Sequence, residues 1–334
     1  MSQVADHQET FANDLGLLYA PIEDDLAEVE RILDRELRSR HQFVDKLVRY
    51  GCMLGGKRLR PALLLLAAKA TGEVAPAHHI LAAVVEMIHT ATLIHDDVLD
   101  EADKRRHLTT VNARWNNESS VLLGDFLFTH SFYLASTLET TRACQIIGRT
   151  TNIVCEGELR QIGSKGDFAL SEQDYFEIIE AKTGELCACC CQLGAIYAQA
   201  DDDVVDRLTS FGRNLGVAFQ ITDDLLDVLG EERATGKSLG TDLEKRKPTL
   251  PLIHTFELVN KTEQKQLLSL LSRSSSPSRE ELMPWFARFD AIEYSRHQAN
   301  AFAQQAVEDL ESLPSSPALE VLRLLPEFAV ARSH

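Results

Sequence analysis

The sequence predicts an all-α chain, on three observations. Strand signals are nearly absent: there is no sustained alternation of apolar and polar residues and no Asn-Gly hairpin turn. Apolar residues recur three or four apart over long stretches, the spacing of one helix face. Between Pro76 and Gly124 there is no Gly or Pro, so nothing there breaks a helix. With 334 residues, 44% of them apolar, the chain can bury a large core. A single large helical bundle over residues 1–334 is expected, because no linker divides it.

The elements follow in order. Residues 1–20 carry no firm signal and are expected as a frayed arm. Over 21–50, Ile22, Leu26, Val29 and Leu33 mark a helical face. Residues 51–61, GCMLGGKRLRP, read as a punctuated turn with a basic cluster, and Pro61 suits the first turn of the next helix. Residues 80–99 are apolar and rich in Ala, Leu and other helix formers, so a long, largely buried helix is expected. Ser171 with Asp174 forms a capping pair that opens a helix over 175–185. Ser278 with Glu281 forms another, after the Ser-rich 272–277, and Ser316-Pro317 starts the last helix. Gly212 and Gly216 lie inside a helix, where glycine costs about 1 kcal/mol against alanine; close helix packing is the expected reason. The apolar runs 62–68 and 80–85 are too short to cross a bilayer, and no membrane span is expected.

Charge and cysteine usage narrow the function classes. Asp plus Glu is 51 against 34 for Lys plus Arg, a net charge of −17. That excludes a general nucleic-acid binder, which needs a basic face, and docking on an anionic membrane by charge. An anionic substrate would have to be met by local cations. Four of the seven cysteines crowd together as Cys187, Cys189, Cys190 and Cys191. Their spacing is not that of a zinc site, so they read as small buried packing residues in a reducing compartment. The first residues, MSQVADHQETFANDLG, are polar and acidic without a secretory pattern, and a cytoplasmic protein is expected.

One motif recurs and carries the chemistry. Asp-Asp-x-x-Asp appears at Asp96, Asp97 and Asp100 and again at Asp223, Asp224 and Asp227. Spacing i, i+4 puts the outer two carboxylates of each set on one helical face. Like charges inside one turn repel, and both sets sit in strongly apolar stretches, beside Leu93 and Ile94 or Phe219 and Ile221. Unpaired buried carboxylates are expensive, so a cation should hold them; hard oxygen ligands at this density suit Mg²⁺ completed by substrate phosphates. Asp201, Asp202 and Asp203 lack an apolar face and read as a solvated cap.

On these motifs the chain resembles the trans-type polyprenyl diphosphate synthases. The resemblance covers 55–251, with its elements in the family's order: GGKRLRP at 55–61, IHTATLIHDDVLDEADKRR at 88–106, LLGD at 122–125, the pair Lys182 and Thr183, FQITDDLLD at 219–227 and GKSLGTDLEKRKPTLP at 236–251. It implies a helical bundle of the isoprenoid synthase type with a central cavity between long helices, acting as a homodimer. It also implies repeated head-to-tail condensation of an allylic prenyl diphosphate with isopentenyl diphosphate. Roughly three Mg²⁺ ions per site assist departure of the allylic diphosphate.

By resemblance, Asp96, Asp100 and Asp223 are the surest metal ligands, while Asp97, Asp224 and Asp227 act partly through water. Arg105, Lys182 and Lys237 face the allylic diphosphate, and with the ions they bring the charge of six carboxylates and substrate near zero. Lys57, Arg60, His89 and Arg106 match the isopentenyl diphosphate pocket, where Arg gives bidentate contact and Lys a point charge. Without the resemblance, Lys57 and Arg60 read as an exposed turn and His89 as a core histidine; His95 keeps that core reading. Thr183 and Gln220 lie near the allylic cation, and Lys247 falls in a lid-like segment. No protein base is named for the final proton loss.

The growing chain passes the residues before the first set, Ala91 and Thr92, where small side chains leave the pocket open; Met87 and Ile88 one turn further narrow it. One isoprene unit is comparable to a helical turn of about 5.4 Å. A medium-to-long product, similar to that of octaprenyl-type synthases, is expected. The competing readings are a short-chain farnesyl or geranylgeranyl synthase, a non-catalytic partner subunit of a heteromeric synthase, and a terpene cyclase or head-to-head coupling enzyme.

Overall fold

A computed structural model describes residues 18–53, 56–106, 108–229, 242, 245–273 and 277–331. The amphipathic stretch after Pro21 gives two helices rather than one, α1 (Glu23–Glu36) and α2 (Gln42–Met53). The break comes at Leu37: its N–H still bonds Leu33 O at 2.9 Å, but its ψ of 46° leaves the helix. The Ser39 N–H then turns to the Asp45 carboxylate at 3.1 Å. Next come α3 (Leu59–Thr71) and α4 (Pro76–Leu99). Pro76 occupies the first turn of α4, where its missing N–H is no loss.

The stretch free of Gly and Pro does not stay helical. After α4 a two-stranded antiparallel ribbon pairs β1 (Lys104–Arg105) with β2 (Leu108–Thr109), Arg105 opposite Leu108. Then follow α5 (Val111–Arg114), α6 (Asn117–Ser136), α7 (Arg142–Gly163) and α8 (Glu172–Ile179). A π-turn, Glu180–Gly184, joins α8 to α9 (Glu185–Tyr197). The chain ends with α10 (Asp202–Leu229), α11 (Leu250–Leu258), α12 (Lys261–Leu271), α13 (Arg279–Arg288), α14 (Ala291–Asp309) and α15 (Pro317–Val330).

The expected caps are present. Ser171 Oγ accepts the Asp174 N–H at 3.1 Å. The Glu281 carboxylate accepts the Ser278 N–H at 3.0 Å, and Ser316 Oγ accepts the Leu319 N–H at 3.1 Å. Asn260 and Glu263 form a further capping box at α12 that sequence reading had not singled out.

The chain divides into two compact units, and the division falls inside α7, α9, α10 and α15 rather than in a linker. The first unit holds the described residues within Met1–Arg149, Cys187–Ser210 and Leu310–Leu322. Its centre is α4, packed against α1, α3 and α6. Gly194 of α9 allows close approach to α3, since a Cβ there would meet the Leu64 carbonyl. Beside it, the Ala75 N–H donates to His78 Nδ1 at 2.9 Å, so His78 Nε2 carries the proton and donates to Gly194 O at 3.1 Å. Cys187, Cys189, Cys190 and Cys191 are all buried free thiols, as expected of packing residues. Helix α4 as a whole is long and apolar enough to span a bilayer, with a mean hydropathy of 1.3; 67% of that stretch is buried in protein, which marks it as a core helix.

The second unit holds Thr150–Leu186, Phe211–Asp309 and Arg323–His334, again for the described residues. One core cluster joins Tyr175 and Ile179 of α8 with Val217, Ile221 and Leu225 of α10 and Leu250 and Ile253 of α11. A second joins Leu267 and Leu271 of α12 with Leu282 and Phe286 of α13. Gly216 has a structural reason: a Cβ there would stand 2.7 Å from Gly184 Cα, so α10 lies directly on the π-turn.

Candidate active site

In the first unit the basic turn leads into α3. Arg58 sits at its N-cap with φ of 54° and is already committed: its guanidinium meets Glu30 at 2.6 Å and the buried Glu86 at 2.7 Å. Lys57 is exposed, and Arg60 is half-buried with its Nε lacking a hydrogen-bond partner among the described residues. Gly56 leaves room for the Arg106 guanidinium, which lies against the turn where a Cβ would displace it. Arg106 reaches the surface at the ribbon's turn with φ of 50°. Partial burial, then the charges of Arg105, Arg58 and Arg60, hold its guanidinium below the ordinary value, while Glu86 opposes them.

His89 of α4 feels the same field. Its imidazole is pushed well below the ordinary value, by burial first and then by Arg60, Arg106, Arg105 and Arg58. With several guanidiniums around a neutral ring, each cation raises the others' energy, and an anion placed among them would lower it.

Two turns on, α4 presents the first aspartate set. Asp96 and Asp100 are half-buried, and Asp97 is 2% exposed. Arg105 Nε donates to Asp97 Oδ1 at 2.8 Å. Asp97 Oδ2 is buried with no partner among the described residues. Burial raises the Asp97 carboxyl above its ordinary value, and Arg105 pulls against that rise. The LLGD segment on α6 meets the same helix: a Cβ at Gly124 would collide with His95, whose Nε2 donates to Val121 O at 3.1 Å. His95 is thus a packing residue between α4 and α6. Met87, Ile88 and Ala91 are each 1% exposed, whereas Thr92 is half-buried and donates to His89 O at 2.9 Å.

In the second unit the π-turn presents Lys182 and Thr183. Its hydrogen bond runs from the Glu185 N–H to Glu180 O, five residues back. Helix α7 approaches it through Gly157, where a Cβ would stand 2.9 Å from Lys182 N. Lys182 Nζ lies 2.7 Å from Glu158 and donates to Gln161 Oε1 at 3.0 Å.

A chain of hydrogen bonds then crosses to α10. Thr183 Oγ1 donates to Gln220 Oε1 at 2.8 Å, and Gln220 Nε2 donates to Asp224 Oδ1 at 2.8 Å. The Tyr175 hydroxyl donates to Asp224 Oδ2 at 2.7 Å. Both oxygens of Asp224 therefore have neutral donors. Its carboxyl is nevertheless raised, by burial first and then by Asp242, with Asp223 adding to the rise and the two hydrogen bonds opposing it. Asp223 and Asp227 are half-buried, and Asp227 Oδ2 accepts the Asp242 N–H at 3.1 Å. Lys247 donates its own N–H to Asp242 O at 2.8 Å, with Nζ 3.9 Å from the Asp242 carboxylate. Lys237 lies outside the described residues.

Several contributors had not been singled out from sequence: Glu86, Glu158, Gln161, Tyr175 and Asp242. Glu86 had a signal, as an acidic residue in an otherwise apolar run three places before His89. Tyr175 had none, because its role depends on a contact with a residue far along the chain.

The fold and its two carboxylate sets define a class: an all-α enzyme of the isoprenoid synthase type. The family model described as polyprenyl synthetase matches residues 41–285, and the chain belongs to that family. It is 36% identical over 311 residues to the octaprenyl diphosphate synthase of Escherichia coli, covering 92% of this chain and 96% of that protein. The crystal structure of a decaprenyl diphosphate synthase from Rhodobacter capsulatus matches with a TM-score of 0.89 and 34% identity, covering 96% of this chain and 99% of that one. A polyprenyl synthase from Caulobacter crescentus, complexed with calcium and isoprenyl diphosphate, matches with a TM-score of 0.89 and 33% identity, covering 96% and 98%. This protein is a chain-elongating prenyltransferase.

Proposed function

We propose that the chain condenses an allylic prenyl diphosphate with isopentenyl diphosphate, head to tail and repeatedly, giving a medium-to-long all-trans product. The observation that carries this reading is the pocket around His89. Arg60 and Arg106 lie in each other's field there, Arg60 Nε is without a partner among the described residues, and Gly56 makes room for Arg106. Lys57, Arg60, His89 and Arg106 would take the diphosphate of isopentenyl diphosphate by charge and hydrogen bonds, without metal.

The aspartate sets suit a divalent cation on their own evidence. Both offer only oxygen donors, and Asp97 keeps a buried oxygen that nothing among the described residues satisfies. Asp96, Asp97, Asp100, Asp223, Asp224 and Asp227 would hold Mg²⁺, roughly three ions per active site. Mg²⁺ held there would neutralise charge on a departing diphosphate.

Arg105, Lys182 and Lys237 would add fixed positive charge for the allylic diphosphate, with Lys247 in the segment that follows. Thr183 commits its proton to Gln220, so its remaining lone pairs can face an allylic cation without offering a nucleophile. Ala91, Thr92, Ile88 and Met87 would set product length. The whole chain acts as one catalytic domain in the cytoplasm, as a homodimer. Support for the dimer comes from α6: its buried side packs on α4, while Leu122 at 66% and Tyr133 at 61% exposure leave an apolar side uncovered.

The test uses purified protein, labelled isopentenyl diphosphate and separate allylic primers, with and without Mg²⁺, and sizes the products. Linear all-trans products that require Mg²⁺ are expected. A cyclised product, or incorporation only after a partner protein is added, overturns the reading. In the same assay Ala91→Phe should shorten the product and keep the first condensation; unchanged length removes Ala91 from the account.

A further inference from the structure

The second unit holds a cluster of metal-type donors that the proposed reaction does not use. Glu172 is the first residue of α8, and His254 and Glu257 lie one turn apart on α11. One ligand atom from each lies within 4.8 Å of the other two. Among the described residues the three groups form no hydrogen bond with one another; Tyr294 holds two of them, bonding Glu172 and stacking on His254. The His254 ring stacks on Tyr294 of α14, with centroids 3.7 Å apart, and among the described residues it forms no hydrogen bond. Two carboxylates thus flank an imidazole that neither of them engages.

Glu172 is oriented by a neighbour. The Tyr294 hydroxyl lies 2.8 Å from both of its oxygens. Burial and Glu172 push the Tyr294 phenol up to about 12, which keeps it protonated and donating. A neutral group that aims a carboxylate in this way is what supports metal ligands elsewhere. A cavity of about 550 Å³, lined by His254, Tyr294, Arg296 and His297, borders the cluster. It is open to solvent and meets the cluster at His254.

We propose that Glu172, His254 and Glu257 bind one divalent transition ion of the Zn²⁺ class, independently of the aspartate sets. Metal–ligand bonds of about 2.0–2.2 Å put neighbouring donors roughly 3–3.5 Å apart, so a small inward rotation closes the site. The imidazole favours Zn²⁺, Co²⁺ or Ni²⁺ over Mg²⁺, which prefers oxygen. The ion joins the first turn of α8 to α11. One turn along α8 stands Tyr175, which holds Asp224, so occupancy of this site braces the support of the second aspartate set.

The test is a metal count on the full chain. Wild type, His254→Ala, Glu257→Gln and Asp96→Ala are equilibrated with Co²⁺ in excess Mg²⁺, then read by elemental analysis and visible absorption. Wild type and Asp96→Ala should hold one more tightly bound Co²⁺ per chain than His254→Ala, which loses that equivalent and its ligand-field bands. Glu257→Gln should bind at least tenfold more weakly. Zn²⁺ should raise the melting temperature of wild type and leave that of His254→Ala unchanged. Equal metal content and spectra in wild type and His254→Ala overturn the proposal. His254 is only half-buried and Glu257 is exposed, so both variants should fold; circular dichroism in chelator checks this.

Discussion

The middle carboxylate of each aspartate set is buried, Asp97 at 2% and Asp224 at 7% exposure, yet the two are held by different means. Asp97 has a charged partner, Arg105, at one oxygen and, among the described residues, nothing at the other. Asp224 has neutral donors, Tyr175 and Gln220, at both oxygens and no cation on either among the described residues. Hydrogen bonds satisfy the lone pairs of Asp224 but supply no opposite charge, so burial raises its carboxyl, whereas Arg105 offsets the charge of Asp97 and leaves a lone pair wanting. One motif thus has two incomplete solutions, and a bound cation would complete each.

The largest contrast with wild type should come from the outer carboxylates. Asp96→Ala and Asp223→Ala are each expected to lower turnover about 10³-fold or more, with circular dichroism unchanged. If one set tolerated the change, the two would not be functional equals.

Removing the supports should separate the sets by stability. Arg105→Met leaves Asp97 buried and unpaired, at a cost of about 3–5 kcal/mol in urea unfolding. Tyr175→Phe removes one neutral donor from Asp224, at about 1–3 kcal/mol. Equal losses would mean that charge pairing at Asp97 is no stronger than hydrogen bonding at Asp224.

The smallest effect is in pH. Asp224 is raised above its ordinary value of 3.8, so over the pH range above 3.8 the folded chain keeps a proton that the unfolded chain has released. Stability therefore falls as pH rises through that range, until the folded group also ionises. In chelator, the melting temperature of wild type should fall between pH 5 and pH 8, and Asp224→Asn should flatten the fall. Asp97→Asn should flatten it less, because Arg105 opposes the rise there. Mg²⁺ should flatten it for wild type.

Much of this was legible in the sequence because it repeats or is local. The aspartate spacing, the buried helix ending at Leu99 and the caps at Ser171, Ser278 and Ser316 need only residues a turn or two apart. Gly216 announced close packing for the same reason. The ribbon carrying Arg105 escaped notice because strands of two residues have no alternation to read. Tyr175 on Asp224 and Arg58 between Glu30 and Glu86 escaped because those pairs form only when distant segments meet. The break at Leu37 is set by a single ψ that no periodicity encodes.

The wide turn at Glu180–Gly184 holds one residue more than an α-helical turn would. Deleting Ala181 would let the backbone relax into an unbroken α-helix with every hydrogen bond remade. It would also swing Lys182 and Thr183 by about 100° relative to α8. Ala181 Cβ and Lys182 N both face Gly157 of α7, so the extra residue fixes how α7 packs on this turn as well as where Lys182 and Thr183 point.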